Sequence, residues 1–457
     1  MKPFVILFTL LISISVFAQM PSQLSSAEKV YGLSKFWQEV NYNFVYLHKI
    51  DREAWDKEYI NLITKVQETE NDYEYFRLLE KFCALLNDGH TNIYLPKNIR
   101  EQLNNNFTEH ALELTEIEGK AIIARINESK KNDLPVGTQI IEVNGLPSQE
   151  YLDKKIIPYI SSSTTYMLQE MAIRAMFEAP IGTVFNIKFQ LPNGEIKEKQ
   201  LKISAEKIEE PFFPPVEENE LLEFKWMPGK TGYLALNSFD NAEILDKFQK
   251  VLPELYNAEK LIIDLRNNGG GNTGIGRDIL QYFTGDHILY GSRSRSRLHI
   301  PTLKAWGRWT GEKDTLNNEG ATRTFLAFRD ELYHPFPYSP DTIKLQKERI
   351  VVPTALLISN NTASAAEDFL IYAHNQEHMF KIGEPTFGST GQPLVFELPG
   401  NAYARICTKQ DTYPDGLEFV GVGIQPDILV QKTLLQYMEN QDPALEKAVD
   451  ILQKKSL

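Results

Sequence analysis

The chain has 457 residues, of which 42% are hydrophobic and 24% charged, and its net charge is −13. That length predicts two or three domains with sizeable cores, and the composition is that of a globular protein rather than a disordered one. The acidic balance excludes a nucleic-acid binder, which needs a basic face for phosphates.

At the start, Lys2 followed by the apolar run PFVILFTLLISISVF and by Ala18 reads as a secretory signal over residues 1–18. The run is short for a membrane span, which needs about 20 residues, and no later stretch is apolar enough. The expectation is export to a periplasm or the extracellular space, with no transmembrane segment after signal removal. Cys83 and Cys407 are the two cysteines. They are too few for a disulfide scaffold, and either a single bridge or two buried thiols fits.

Residues 24–98 carry apolar residues at three-and-four spacing and predict a helical domain, closed by a helix stop at Asp88 and Gly89. Residues 105–205 change to short strands, ALELTEI, AIIARI, QIIEVNG and VFNIKFQ, separated by Gly, Asn and Pro. The segment LPVGTQIIEVNG, from Leu134 to Gly145, resembles the closing part of a PDZ domain, with helices expected between Tyr151 and Phe177. EEPFFPPV over 209–216 reads as a linker.

An α/β core is expected over 220–435. GYLALNSF, EKLIIDL and PTALLIS are its buried strands, and AEILDKFQKVLPELY, GIGRDILQYFTG and ASAAEDFLIYAHN its helices. A polar insertion at 285–350 contains Arg293, Arg295 and Arg297, read as a solvated loop, and a closing amphipathic helix is expected over 436–457. The fold class is therefore an α/β core, a mixed sheet with flanking helices, plus an N-terminal helical domain and a PDZ-like β domain.

The most informative local pattern is a strand, turn and helix around Ser364, ALLISNNTASAAEDFL. It places the hydroxyl in the first helical turn, where free N–H groups and the helix dipole favour developing negative charge. Small neighbours leave room for a carbonyl, and the Ala365 N–H can help to hold an oxyanion. A plain N-capping serine gives the same pattern. The glycines of DLRNNGGG after a buried strand let the backbone approach a ligand closely and offer further N–H groups. Three other patterns carry less. Gly269, Gly271 and Gly274 match dinucleotide spacing, but no acidic residue ends a following strand at the expected distance. His374 and His378 spell HxxEH but lack a third zinc ligand. Gly229, Lys230 and Thr231 are not a phosphate loop, since Phe224 stands where its first Gly belongs.

DLRNNGGG, NNTASAAEDFL, IGEPTFGSTGQP and GVGIQPDILV, in that order, resemble the tail-specific (C-terminal processing) serine peptidase family. The resemblance implies that Ser364 is the nucleophile and that Gly270, Gly271 and Ala365 form the oxyanion hole. The main branch of that family uses a Lys base in Phe-Gly-Lys-Gly, whereas this chain has Ser389 at that position, in FGSTG. It is therefore similar to the tricorn-core-like branch lacking the catalytic Lys, which uses Ser, His and Glu. His90, on the loop after the helix stop, is the expected base, since an imidazole near pKa 6.5 suits neutral pH. Glu418 is expected to orient it, with Glu367, Asp368 and Asp415 as rivals. No cofactor or metal is implied. The expected substrate is a peptide or protein, recognised at a free C-terminus if the PDZ-like groove is open. The alternative is a non-catalytic ligand- or peptide-binding protein on the same scaffold.

Overall fold

Three helices open the computed structural model, which describes residues 23–206, 208–216 and 218–454; the expected signal at 1–18 lies outside the described residues. Each helix starts at a side-chain cap. Ser25 and Glu28 satisfy each other's backbone N–H groups at the head of Ser26–Asn43, and Asp51 and Asn71 cap Arg52–Glu68 and Asp72–Ala84. Their apolar stripes meet at Phe36, Trp55 and Phe82, the last two rings stacked 3.8 Å apart. Past Ala84 the chain turns at Asn87, whose φ is +48°, and delivers Asp88, Gly89 and His90 to the core.

The next unit is a seven-stranded sheet in which Leu112–Ile117, Lys120–Asn127, Gln139–Val143, Val184–Gln190 and Ile196–Lys202 pair antiparallel. Phe185, Ile187 and Phe189 alternate inward and join Ala172 and Ile173 of the helix Thr165–Arg174 in a core separate from the rest. The expected linker is partly ordered, because Phe212–Phe213 pairs with Ile126 and Asn127.

The core sheet runs Leu222–Met227, Thr231–Leu236, Lys260–Asp264, Thr354–Ile358, Met379–Gly383 and Ile428–Leu429, parallel after the first pair. Alternation splits its two faces. Leu234, Leu261, Ile263 and Leu356 pack with the helices Glu243–Leu255, Thr273–Leu280 and Ala365–Tyr372, whereas Tyr233, Ile262, Ala355 and Leu357 pack with Pro443–Lys454. Both faces are covered, which is why the strand sequences read as continuous apolar runs. The closing helix is in fact two, Leu434–Met438 and Pro443–Lys454. Asn440 at φ +53° turns the chain between them, and Pro443 cannot continue a helix.

The insertion also departs from expectation. Arg293–Arg297 is the central strand of a small sheet between Tyr333–Pro335 and Gln410–Thr412. Ser292, just before it, and Ser294 donate to the buried carboxylates of Asp368 and Asp411, and Ser296 to the Thr408 carbonyl. The arginines stand on the other face: Arg293 lies over Tyr338, Arg295 over Tyr333, and Arg297, 2% exposed, donates to the Asn41 carbonyl. Period-two alternation makes this segment a strand, and none of the three arginines is a loop residue.

Candidate active site

The core strand Thr354–Ile358 ends at a turn that is pinned on both sides. Thr362 donates its hydroxyl to the Leu265 carbonyl at 2.9 Å, and the Ala363 N–H goes to the Asn268 carbonyl at 3.0 Å. Ser364 follows with φ +55° and ψ −117°, and the helix begins only at Ala365. A non-glycine residue in that region costs about 1–3 kcal/mol and persists only where surroundings over-determine it. The sharp strand-to-helix turn of hydrolase nucleophiles has this character. The Ser364 hydroxyl makes no capping bond; the Glu367 N–H goes instead to the Ser364 carbonyl at 2.8 Å. The simple N-cap reading is thereby set aside: the helix start is closed by the Ser364 carbonyl and not by its hydroxyl.

Glu367 holds this strained turn. Its fully buried carboxylate accepts the Ser364 N–H at 2.9 Å, the Gly388 N–H at 2.9 Å and the Thr386 hydroxyl at 2.5 Å. Burial pushes the carboxyl up to about 7 against the pull of those donors. Glu367, a rival for the third catalytic place, is thus a strut beneath Ser364 and the loop that carries Ser389.

The glycine segment closes over the turn. A Cβ on Gly270 would stand 2.7 Å from the Ser364 Cβ, so only glycine fits. The Gly270 N–H is already donated to Asn268 Oδ1 at 3.0 Å, which corrects the expectation that it serves an oxyanion. Asn268, fully buried, also donates to the Leu236 carbonyl. Gly271, at φ +128°, lies against Phe239 so tightly that a Cβ would sit 2.3 Å from the Asp240 nitrogen. The backbone bonds that tie it there use the Gly270 carbonyl and the Asn272 N–H and leave the Gly271 N–H out.

His90 sits on the rim of the helical segment with its Nδ1 2.7 Å from the hydroxyl of Ser389. Burial first, then the cations Arg405 and Lys409, push its pKa down to about 4, so the ring is neutral at pH 7. No hydrogen bond joins the ring to Ser364 among the described residues. Asp88, directly before the loop, is fully buried and accepts the Thr91 hydroxyl at 2.6 Å.

Glu418 is not brought to His90. Its two carboxylate oxygens are taken by Lys49 at 2.6 Å and Gln410 at 2.7 Å, and its side chain is 41% exposed. Burial raises its pKa, but Lys49 and Gln410 outweigh that and hold it below the ordinary value. The expected orienting role is corrected on this ground: Glu418 is engaged with Lys49 and Gln410, and the partner of His90 Nδ1 is the Ser389 hydroxyl instead. Asp368, one turn beyond Ser364, accepts from Thr273 and Ser292 at 2.6 Å, and Asp415 is exposed and accepts the Leu417 N–H. His374 stacks edge-on to Tyr413 and His378 bonds the Phe283 carbonyl, beyond the helix end at Tyr372. Cys83 and Cys407 are both free and buried.

Residues 230–430 match the family model described as Peptidase family S41. Over that range the core is similar to peptidase family S41. The matched range carries both Ser364 and the glycine segment, while His90 comes from outside it. The carboxyl-terminal-processing protease of Synechocystis sp. is 26% identical over 231 residues, covering 49% of this chain and 44% of the relative. The protein of the same name from Picosynechococcus sp. is 24% identical over 49% of this chain and 45% of its own length. The chain thus spans less than half the length of these curated relatives. Among solved structures, mature CPAF superposes with a TM-score of 0.67 at 15% identity, covering 94% of this chain and 99% of that one. At that identity the likeness is one of fold, and it extends beyond the matched range to nearly the whole described chain.

Proposed function

We propose that this chain is an exported serine peptidase whose nucleophile is Ser364. The observation that carries this reading is the backbone of Ser364, held at φ +55° and ψ −117° at a strand-to-helix turn with its hydroxyl unbonded to the helix. Strain of this kind at a residue with no capping role needs a reason, and exposing a nucleophile is one. In the proposed reaction Ser364 Oγ attacks the carbonyl carbon of a peptide bond while its proton passes to the bare nitrogen of His90. The carbonyl oxygen becomes an oxyanion facing the N–H groups of Gly271 and Ala365, the first of which is left free by the surrounding backbone bonds. Collapse breaks the C–N bond, and the imidazolium returns its proton to the leaving amine. Water then hydrolyses the acyl-serine by the same steps in reverse roles.

The substrate is a polypeptide. The separate β unit over 105–205 is read as a PDZ-like module that presents a chain end to the core, in keeping with the carboxyl-terminal-processing activity for which the relatives are named. Export is supported by the signal pattern at 1–18.

The test is labelling by a serine-directed phosphonate. The wild type should form a single adduct at Ser364 and lose peptidase activity in step with it, and Ser364→Ala should do neither while retaining its fold. Labelling elsewhere, or undiminished turnover by folded Ser364→Ala, would show that Ser364 is not the nucleophile. Absence of labelling and turnover in the wild type would favour the binding-protein alternative.

A further inference from the structure

A histidine can act as a base only through the nitrogen that lacks a proton, so something must decide which nitrogen that is. In serine hydrolases a carboxylate at Nδ1 usually does so. Here the partner of Nδ1 is the Ser389 hydroxyl at 2.7 Å, and the carboxylate expected there, Glu418, is engaged with Lys49.

We propose that Ser389 is the positioning residue of the site: its Oγ accepts the proton of His90 Nδ1, fixes the ring in the Nδ1–H form and leaves Nε2 bare to act as base. The inference rests on the reading of His90 as the proton acceptor.

Several contacts make this oxygen a fixed reference point. Ser389 is fully buried. The Gly388 N–H is tied to Glu367, the same carboxylate that holds the Ser364 N–H, and the Gly388 carbonyl accepts from Gly421 at 2.9 Å. The Phe387 N–H binds the Thr362 carbonyl at 2.9 Å, so Ser389 and Ser364 extend from one clamped framework. On the other side the Phe387 ring fills the space a side chain at Gly89 would occupy, and the Ser389 Cβ stands 3.3 Å from that point. Gly89 therefore lets the His90 loop come close enough to reach Ser389.

The chemistry of the pair also fits its surroundings. Arg405, which donates to the Gly89 carbonyl, and Lys409 are the cations acting on the ring, and no carboxylate bonds it among the described residues. A hydroxyl that accepts from Nδ1–H carries no charge, so it holds the ring without drawing a second proton onto the imidazole, and the ring stays a free base. Were Nδ1 bare instead, the proton would sit on Nε2 and block the transfer from Ser364.

The decisive measurement is the tautomer of His90 by nitrogen chemical shifts in protein labelled with 15N-histidine, at pH 7, beside steady-state kinetics of wild type and Ser389→Ala. The wild type should show a protonated Nδ1 and a bare Nε2. Ser389→Ala, a truncation that adds no bulk, should shift the ring toward a mixture of tautomers. Its kcat should fall by about a hundredfold, the lower end of what a general base contributes, with KM nearly unchanged. A wild-type ring protonated on Nε2 overturns the proposal whatever the variant does, as does a Ser389→Ala enzyme with the wild-type tautomer and kcat. Failure of the underlying reading looks different. A wild type with neither turnover nor phosphonate labelling would remove the base role while the tautomer of the Ser389–His90 pair still reads as stated.

Discussion

Glu367→Gln isolates the strut beneath Ser364. In the folded protein burial lifts the Glu367 carboxyl from 4.5 to about 7. Between those values the native state holds a proton that the unfolded chain has released. Its contribution to stability is therefore fully present below pH 4.5 and is lost as the pH rises through about 7, a change of about 3 kcal/mol. His90 works in the opposite sense. Its pKa is depressed from 6.5 to about 4, so its contribution is present above 6.5 and lost as the pH falls through about 4. That slope is common to wild type and variant, and it cancels in their difference. The amide that replaces the carboxyl in the variant does not titrate, so the stability of wild type minus that of Glu367→Gln should decline by about 3 kcal/mol between pH 4.5 and 8. The assay is native-state hydrogen exchange at amides of the core strand Lys260–Asp264, which reads opening of the unit that contains Glu367. A flat difference would mean the carboxyl titrates alike in both states. A difference that rises with pH would mean its three donors hold it ionised, and burial would not be the dominant influence.

Three further outcomes follow from the geometry. The kcat/KM profile should keep its alkaline level down to mildly acid pH and fall only as the pH drops through about 4, where His90 takes up a proton and can no longer accept one; Arg405→Met, by removing a cation, should move that limb to higher pH, and a wild-type limb at 6.5 would contradict the burial of the ring. Gly271→Ala should abolish activity and destabilise the core by at least about 2 kcal/mol, because the residue sits at φ +128° and its Cβ would lie 2.3 Å from the Asp240 nitrogen; a thermal melt close to that of wild type would refute this. Glu418→Gln should leave kcat within about twofold, as expected for a half-exposed pair with Lys49, and a hundredfold loss would restore Glu418 to the site.

What could be read from the sequence was local. The buried strands, the helix stop before His90, the glycine run and the turn at Ser364 announce themselves through period and punctuation, and each lies within a few residues of where it was expected. Ser364 itself was placed one residue too far into the helix, because propensity cannot reveal a left-handed φ at a serine. The site's wiring was not legible, since it depends on which side chains meet across hundreds of residues. Ser389 was visible as the residue standing where a lysine was expected, yet nothing in FGSTG says that its hydroxyl meets His90. Glu418 was a carboxylate in a suitable stretch, and only the structure shows Lys49 reaching it first. The Arg-Ser alternation carried a usable signal, a period of two, which its polarity disguised because strands are sought among apolar residues. Residues 436–457 contained their own correction in Pro443.

His90 and Ser389 lie 299 positions apart in the chain. The ring belongs to the helical unit and the hydroxyl that meets it to the α/β core, with the whole β unit between them in the chain. Contacts so distant form late, after the loop they close has lost its freedom. A growing chain therefore carries His90 without its partner and lacks the turn at Ser364 as well. The pairing of His90 with Ser389 is therefore one of the last features of the fold to be completed, and it reports that the helical unit and the core have docked.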